Sequence, residues 1–467
     1  MQADKGAWRV AVVGSGPAAF YTAEALFKSG EAVAVDLFDR MPVPFGLVRT
    51  GVAPDHQNIK AVVKVYDKIA ATPGFRFFGN VRIGRDLAVA DLAAHYHQIV
   101  YAFGCESDQK LAVPGEDLAG VHAATDFVGW YNGHADHRQH RFDLANARRV
   151  AIVGNGNVAM DVARVLLAPI EHLAKTDIAD HALAVLQHSR VQEVILLGRR
   201  GPAQAAFSPK EIEEIAELPD VDVVVDPREA ELDPISAAWL AKDGARSQQR
   251  NVKFLHERAA LGAGQRGKKL HCRFLVAPTA LTGDRRLRAV QVEHMQLVAD
   301  TDGTPRPQPR GSREELAVDL VFKAIGYRGV PVAGVPLEEK KGIVPNVDGR
   351  VVEKVGGAVR PGHYVAGWCK RGPTGLIGTN SLDAKATVEA MKQDHAAGVQ
   401  LVPRQGDIEK LLAARAIDFV SWQDWQRLDA FELQQGQQRG KLRQKLVAID
   451  EMMAQVRTLR GAAAKTS

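Results

Sequence analysis

Residues 8–30 read WRVAVVGSGPAAFYTAEALFKSG, and this stretch decides the fold. The apolar run Val10 to Val13 turns through Gly14-Ser15-Gly16 and continues with helical periodicity until Gly30. That is strand, tight turn, helix. Gly14 permits the turn, Gly16 lets backbone approach a pyrophosphate, and Ala19 allows the helix to pack closely on the strand. The N-terminus of the helix faces the phosphates. A second strand, Val33 to Phe38, follows at once and ends in Asp39, twenty positions after Ala19. A carboxylate there accepts hydrogen bonds from a ribose diol. The unit fits a dinucleotide, with FAD and NAD both open at this point.

The design returns at ARRVAIVGNGNVAMDVARVLL, residues 147–167, with a strand Val150 to Val153, the turn Gly154-Asn155-Gly156 and the small residue Ala159. Two such units predict two nucleotide-binding domains. The next strand, VQEVILLGRR, comes only after the long insertion APIEHLAKTDIADHALAVLQHS, and it ends in Arg199 and Arg200 instead of an acid. Adjacent guanidinium forks suit a 2′-phosphate that a carboxylate would repel, so this site is expected to prefer NADP to NAD.

Length and composition agree with a multidomain enzyme. A chain of 467 residues exceeds one ordinary hydrophobic core, and no window approaches eighteen consecutive apolar residues. No membrane span is expected. Nine residues from the start methionine to the first apolar strand leave no room for a leader peptide, so a cytoplasmic location is expected. Cys105, Cys272 and Cys369 lie far apart with no C-x-x-C pair, which excludes a zinc ribbon and a dithiol redox centre.

The net charge of +5 is small, but RSQQRNVK, GQRGKK, GDRRLR and RPQPRGSR concentrate Arg and Lys between Arg246 and Arg313. Such runs are ordinarily solvated loops; the sharper reading is a docking face for an acidic partner. Interleaved aromatics are missing, so nucleic acid is not expected.

Together the segments VPFGLVRTGVAPDHQNIK, FFGNVRIGRD, FVGWYNG, GNGNVAMDVARVLL, GRRGPAQAAFSPKEI and GWCKRGPTGLIGTN resemble adrenodoxin reductase-type ferredoxin-NADP reductases. The resemblance runs in order from about Val10 to Asp429. It implies an α/β fold of two Rossmann-like domains with the NADP domain inserted into the FAD domain. Expected boundaries are residues 1–105 for the first part of the FAD domain, 106–329 for the NADP domain, and 330–467 for the returning part with its C-terminal helices. GWCKRGPTGLIGTN is then the returning FAD segment, with Gly367 ending the apolar strand HYVAG and the stretch Gly375 to Gly378 opening a helix.

The resemblance further implies that Ala18, Asp39, Leu47, Val81, Trp368, Gly375, Leu376 and Ile377 line a non-covalent FAD. For NADP(H) it implies Asn155, Gly156, Asn157 and Val158 at the pyrophosphate, Arg199 and Arg200 on the 2′-phosphate, and Glu211 nearby. Gly375 would also touch the nicotinamide end. This chain has Ala19 where the family often has Gly, and Asn155 where it often has Gln. His56 and Asp161 match a paired His and acid beside the nicotinamide, suited to positioning or to handling a proton. The implied reaction passes hydride from NADPH to FAD and single electrons onward to a ferredoxin-type iron-sulfur protein. Neither a nucleophile nor a metal is expected.

The rival readings are a flavoprotein disulfide reductase, which needs the missing cysteine pair, an NADPH oxidase or monooxygenase, and a binding protein without turnover. In the tail, Trp422 and Trp425 are expected in the core, oligomeric state is left open, and RGAAAKTS reads as flexible.

Overall fold

The computed structural model describes residues 7–466 and divides them into two compact units. The leader reading rests partly on residues 1–6, which lie outside the described residues. One unit comprises residues up to Val52, His56–Ser107 and the chain from Gly326 onward; the other comprises Ala53–Asp55 and Asp108–Ile325.

A seven-stranded sheet forms the centre of the first unit. Its five parallel strands run in the spatial order Val359–Val365, Gln98–Tyr101, Trp8–Val13, Val33–Phe38, Phe75–Phe78. Val10 stands in register with Val35 on one side and Gln98 on the other. Strands covered on both faces read as unbroken apolar runs, as in VAVV of the first strand; in VAVDLF the buried Asp36 is the exception, accepting from Arg76 at 2.6 and 2.8 Å. The strand Val359–Val365 belongs to the late part of the chain yet pairs with Gln98–Tyr101, so the sheet is completed only after the other unit has been built.

The C-terminal helices pack within this first unit. Trp422 meets Phe20, Phe45, Phe75 and Phe77 ring to ring, and Trp425 meets Phe45 edge-on at 5.6 Å. Phe20 lies on the helix Pro17–Phe27 and is fully buried, a burial that contributes about 1.5–3 kcal/mol. Beneath Trp425 the buried Arg49 donates to Glu432 at 2.6 Å, and Arg443 donates to the same carboxylate at 2.8 Å. Of the segment read as flexible, residues 460–466 continue the helix Ile449–Thr466, since alanines favour helix, and Ser467 lies outside the described residues.

The second unit holds a six-stranded parallel sheet in the order Val121–Ala123, Leu320–Lys323, Arg149–Val153, Glu193–Gly198, Lys268–Phe274, Val221–Val225. A three-stranded antiparallel meander, Val276–Gly283, Leu287–Ala299 and Pro305–Ala317, buries Leu281, Val290 and Val292 in a cluster with Ile195 and Val321. The insertion before Glu193 forms the helices Ile170–Ala174 and Asp180–Leu186. No described helix is long and apolar enough to cross a membrane.

Candidate functional site: two nucleotide cradles

In the first unit the turn is locked from both sides. Gly14 has φ +115°, and a Cβ there would lie 2.4 Å from the carbonyl oxygen of Ala102. Its N–H donates to Phe38 at 2.7 Å, while Ala102 N–H donates to Val13 at 2.8 Å. Gly16 is different: a Cβ would meet nothing within 4 Å. Glycine there serves no packing need of the protein, and it leaves room over the start of the helix Pro17–Phe27. That helix has Pro17 in its first turn and no side-chain cap, so its opening N–H donors suit a phosphate.

At the strand end, one Asp39 oxygen accepts from Ser15 Oγ at 2.5 Å and the other from Met41 N–H at 2.8 Å. Burial pushes the carboxyl up, against the Ser15 and Met41 donors that hold it down. Val81, fully buried, donates its N–H to the Asp39 carbonyl at 2.8 Å, and the loop before Leu47 crosses the turn through Phe45 N–H to Ser15 at 2.9 Å. The returning segment reaches the same place. Gly367 has φ +77°, and a Cβ there would lie 2.4 Å from that of Ala18.

Trp368 is half-buried with its ring tilted against Tyr327 at 5.5 Å. Gly375 and Leu376 are exposed, Ile377 is half-buried, and the helix begins at Thr379, capped by Gly378. Leu376 N–H donates to Thr379 Oγ1 at 3.1 Å. The fold therefore brings Gly14, Gly16, Ala18, Asp39, Leu47 and Val81 together, with Gly367 backing Ala18, and presents Gly375 and Leu376 on an exposed approach.

The second unit repeats the cradle. Gly154 has φ +121° with a hypothetical Cβ 2.3 Å from the Ala324 carbonyl oxygen, and Gly156 again meets nothing within 4 Å. Gly156 precedes the helix Asn157–Leu167, which also lacks a side-chain cap. Asn155, Gly156, Asn157 and Val158 are all half-buried. The Asn155 carbonyl accepts from Ala206 N–H at 3.1 Å, and Asn157 Oδ1 accepts from Ser208 N–H at 2.8 Å. The Asn157 side chain thus ties the 202–208 loop to the turn, a use the sequence reading did not assign it.

Arg199 is exposed and Arg200 half-buried, and among the described residues neither guanidinium has a hydrogen-bonded or ionic partner. Arg200 is held below the usual arginine value by burial and by the like charge of Arg199. Two adjacent cations in that condition suit a dianionic phosphate.

Glu211 is held by another arginine. Buried on the helix Pro209–Ala216, it accepts from Arg164 Nη1 at 2.8 Å. Arg164 also donates to Asp161 at 2.6 Å and to both oxygens of Asp55 at 2.7 and 3.1 Å. Burial works to lower this guanidinium, and the carboxylates of Asp55, Asp161 and Glu211 outweigh it, so it stays charged. Arg164 fixes Asp161 directly and, through Asp55, the residue that precedes His56 in the chain. His56 itself is buried at the start of the turn Gln57–Lys60.

A family model described as pyridine nucleotide-disulphide oxidoreductase matches residues 8–218. The NADPH-ferredoxin reductase FprA of Mycobacterium tuberculosis is 43% identical over 456 residues, 95% of this chain and 98% of that protein. Human mitochondrial NADPH:adrenodoxin oxidoreductase is 41% identical over 95% of this chain and 91% of its own. The solved structure of Mycobacterium tuberculosis FprA in complex with NADPH superposes with a TM-score of 0.89 at 41% identity, covering 96% and 99% of the two chains. The chain belongs to the adrenodoxin reductase-type NADPH-ferredoxin reductases. It is an oxidoreductase of the FAD- and NADP-binding flavoproteins.

Within this reductase family frame, several supporting residues escaped the sequence reading. Asp383 accepts from Gly367 N–H at 2.5 Å and from Lys370 at 3.0 Å, and Asn380 accepts from Arg371 at 2.9 Å. These bonds hold the returning segment, and they link residues whose pairing no local pattern announces. Ser15, Asp55 and Arg164 were missed for the same reason. The three cysteines are buried and outside any disulfide, burial pushes each thiol up to about 12, and Cys369 Sγ donates to the Tyr101 and Ala366 carbonyls at 3.3 and 3.2 Å. Membership of the NADPH-ferredoxin reductases sets the disulfide-reductase rival aside.

Proposed function

We propose that this chain is an FAD-dependent NADPH-ferredoxin reductase in which the Gly14–Asp39 cradle holds FAD and the Gly154–Arg200 cradle holds NADP(H). One observation carries the assignment of the two nucleotides. The cradles share their backbone, and the strand ends differ: a carboxylate at Asp39, two unpartnered guanidiniums at Arg199 and Arg200. When bound, FAD accepts hydride from NADPH and releases electrons one at a time.

The protein's share is binding and orientation. Helix starts at Gly16 and Gly156 meet pyrophosphates, Asp39 accepts from a ribose hydroxyl, and Leu47, Val81 and Trp368 line the flavin with Gly375, Leu376 and Ile377 beside it. Asn155, Asn157 and Val158 flank the NADP pyrophosphate. His56 and Asp161 act on the nicotinamide side as positioning groups, and Arg164 orients Asp161. Glu211 contributes through Arg164. His56→Gln separates positioning from bystander status: an increase in KM for NADPH or a slower hydride transfer is expected, and unchanged values for both would refute the role.

The acceptor is an acidic iron-sulfur protein of the ferredoxin type. Within the basic segments, Arg250 pairs with Glu213, Arg286 with Asp143 and Arg306 with Asp300, and between those segments Arg273 pairs with Glu229 and Glu314. Arg285, Arg310 and Arg313 are exposed with no acidic partner among the described residues, which leaves them to steer such a protein. The test is anaerobic reduction of a [2Fe–2S] ferredoxin by NADPH and the FAD-loaded chain at rising ionic strength. Reduction that slows with salt is expected. Oxygen consumption with the ferredoxin left oxidised would move the assignment to an NADPH oxidase.

A further inference from the structure

The stretch GHADHRQHRF, residues 133–142, takes no part in either cradle, yet it carries three histidines at intervals of three. The helix Ala124–Asn132 ends at Gly133, whose φ of +75° reverses the chain. His134 N–H then donates back to the Gly129 carbonyl at 2.8 Å, and the short turn Ala135–His137 lays His137 along the helix it has just left. Gly129 is the seat for that imidazole, since a Cβ there would lie 2.3 Å from the His137 ring.

The result is a triangle. His137 Nδ1 lies 3.4 Å from Asp126 Oδ1 in the first turn of the helix and 3.4 Å from His140 Nε2, and His140 Nε2 lies 3.7 Å from the same Asp126 oxygen. These separations exceed ordinary N–H···O contacts of about 2.7–3.2 Å. Two of them match, and the 3.7 Å one comes within about 0.1 Å of, the edges of a tetrahedron around a cation with bonds of about 2.0–2.2 Å, whose ligand atoms stand roughly 3.3–3.6 Å apart. The side chains are half-covered, with 32%, 19% and 39% exposure for Asp126, His137 and His140. The platform beneath is rigid: His140 lies over Phe142, which packs edge-on against Phe127 and Trp130 at 5.0 Å each.

We propose that Asp126, His137 and His140 form a binding site for Zn²⁺ or a similar borderline divalent cation, with water as the fourth ligand. Two imidazoles and one carboxylate suit zinc, whereas magnesium and calcium take oxygen ligands throughout. A bound cation ties the 135–140 segment to its helix and stabilises the second unit by mass action.

The test uses the FAD-loaded full chain without an affinity tag, stripped with a chelator and titrated with ZnCl₂ by calorimetry. One equivalent is expected, with a rise in melting temperature at saturating zinc. Asp126→Asn and His140→Gln are each expected to weaken binding by about tenfold or more and to abolish the melting shift. NADPH-driven dye reduction without zinc is expected to be unchanged in both. His140 is the most exposed of the three, so its variant keeps the test informative where a change at His137 disturbs folding. No stoichiometric binding in the unaltered chain, or equal affinity in His140→Gln, would overturn the proposal.

Discussion

At Gly14 an added side-chain carbon would lie 2.4 Å from the Ala102 carbonyl oxygen, and at Gly154 it would lie 2.3 Å from that of Ala324. Gly14 N–H donates to Phe38 and Gly154 N–H to Leu197, the last or next-to-last residue of the neighbouring strand in each case. The backbone of the two cradles is the same device twice. Their strand ends are opposites: Asp39 is half-buried and held by Ser15 and Met41, while Arg199 and Arg200 stand side by side without anionic partners among the described residues. The difference underlies the proposed assignment, in which the glycines fix where a pyrophosphate sits and the charge at the strand end separates an NADP site from one that takes a ribose hydroxyl.

Breaking the shared part separates the two sites most sharply. Gly14→Ala and Gly154→Ala each combine strain at positive φ with a backbone clash, together costing about 2–6 kcal/mol. Gly14→Ala is expected to purify without flavin colour. Gly154→Ala is expected to stay yellow and to lose reduction by NADPH. Retention of both colour and NADPH reduction in Gly154→Ala would break the comparison, and absorbance spectra with and without NADPH decide it.

The surroundings of the two cradles also differ. Near the first, Glu432 is completely buried between Arg49 and Arg443; removing it as Glu432→Ala leaves the buried Arg49 without its carboxylate, while Arg443 keeps Asp429, at a cost of about 3–5 kcal/mol. Burial pushes the Glu432 carboxyl up, but Arg49 and Arg443 outweigh it and the folded value lies below the ordinary 4.5. A lowered folded value means that this stabilisation is fully present above about 4.5 and is lost as pH falls through the folded value. Urea melts at pH 7 and at pH 3 are expected to show a large gap between Glu432→Ala and the unaltered chain at pH 7 that narrows at pH 3. An equal gap at both would refute the assignment.

Among smaller effects, Ser15→Ala removes one donor to Asp39 and is expected to weaken FAD binding by about 0.5–1.5 kcal/mol, read by flavin fluorescence on dilution. The Asp39 carboxyl, already pushed up by burial, loses a donor that lowers it.

Much of this was legible because it is local. The strand Val33–Phe38, the turns at Gly14 and Gly154, and the strand-end residues all follow from spacing within about forty residues, and each stands where the pattern put it. Contacts that join distant residues were not legible. Asp55 and Glu211 meet Arg164 across 109 and 47 positions, and Glu432 meets Arg49 across 383. The basic segments read as solvated loops or, more sharply, as a docking face, and no local pattern showed that folding sets acids beside Arg250, Arg286 and Arg306. Histidines at 137 and 140 were visible as letters, and only the reversal at Gly133 shows that Asp126 joins them.

The central claim, that strand-end charge assigns the nucleotides, is tested most directly by anaerobic stopped-flow absorbance of the yellow protein. NADPH and NADH are compared on the unaltered chain and on Arg199→Ala/Arg200→Ala. Each lost charge-assisted contact to a phosphate is worth about 1.5–3 kcal/mol. The account predicts rapid flavin bleaching by NADPH over NADH in the unaltered chain. In the double variant it predicts a rise of about 150-fold or more in the NADPH concentration for half-maximal rate, with NADH nearly unchanged. Equal bleaching by both nucleotides before and after the substitutions would contradict it.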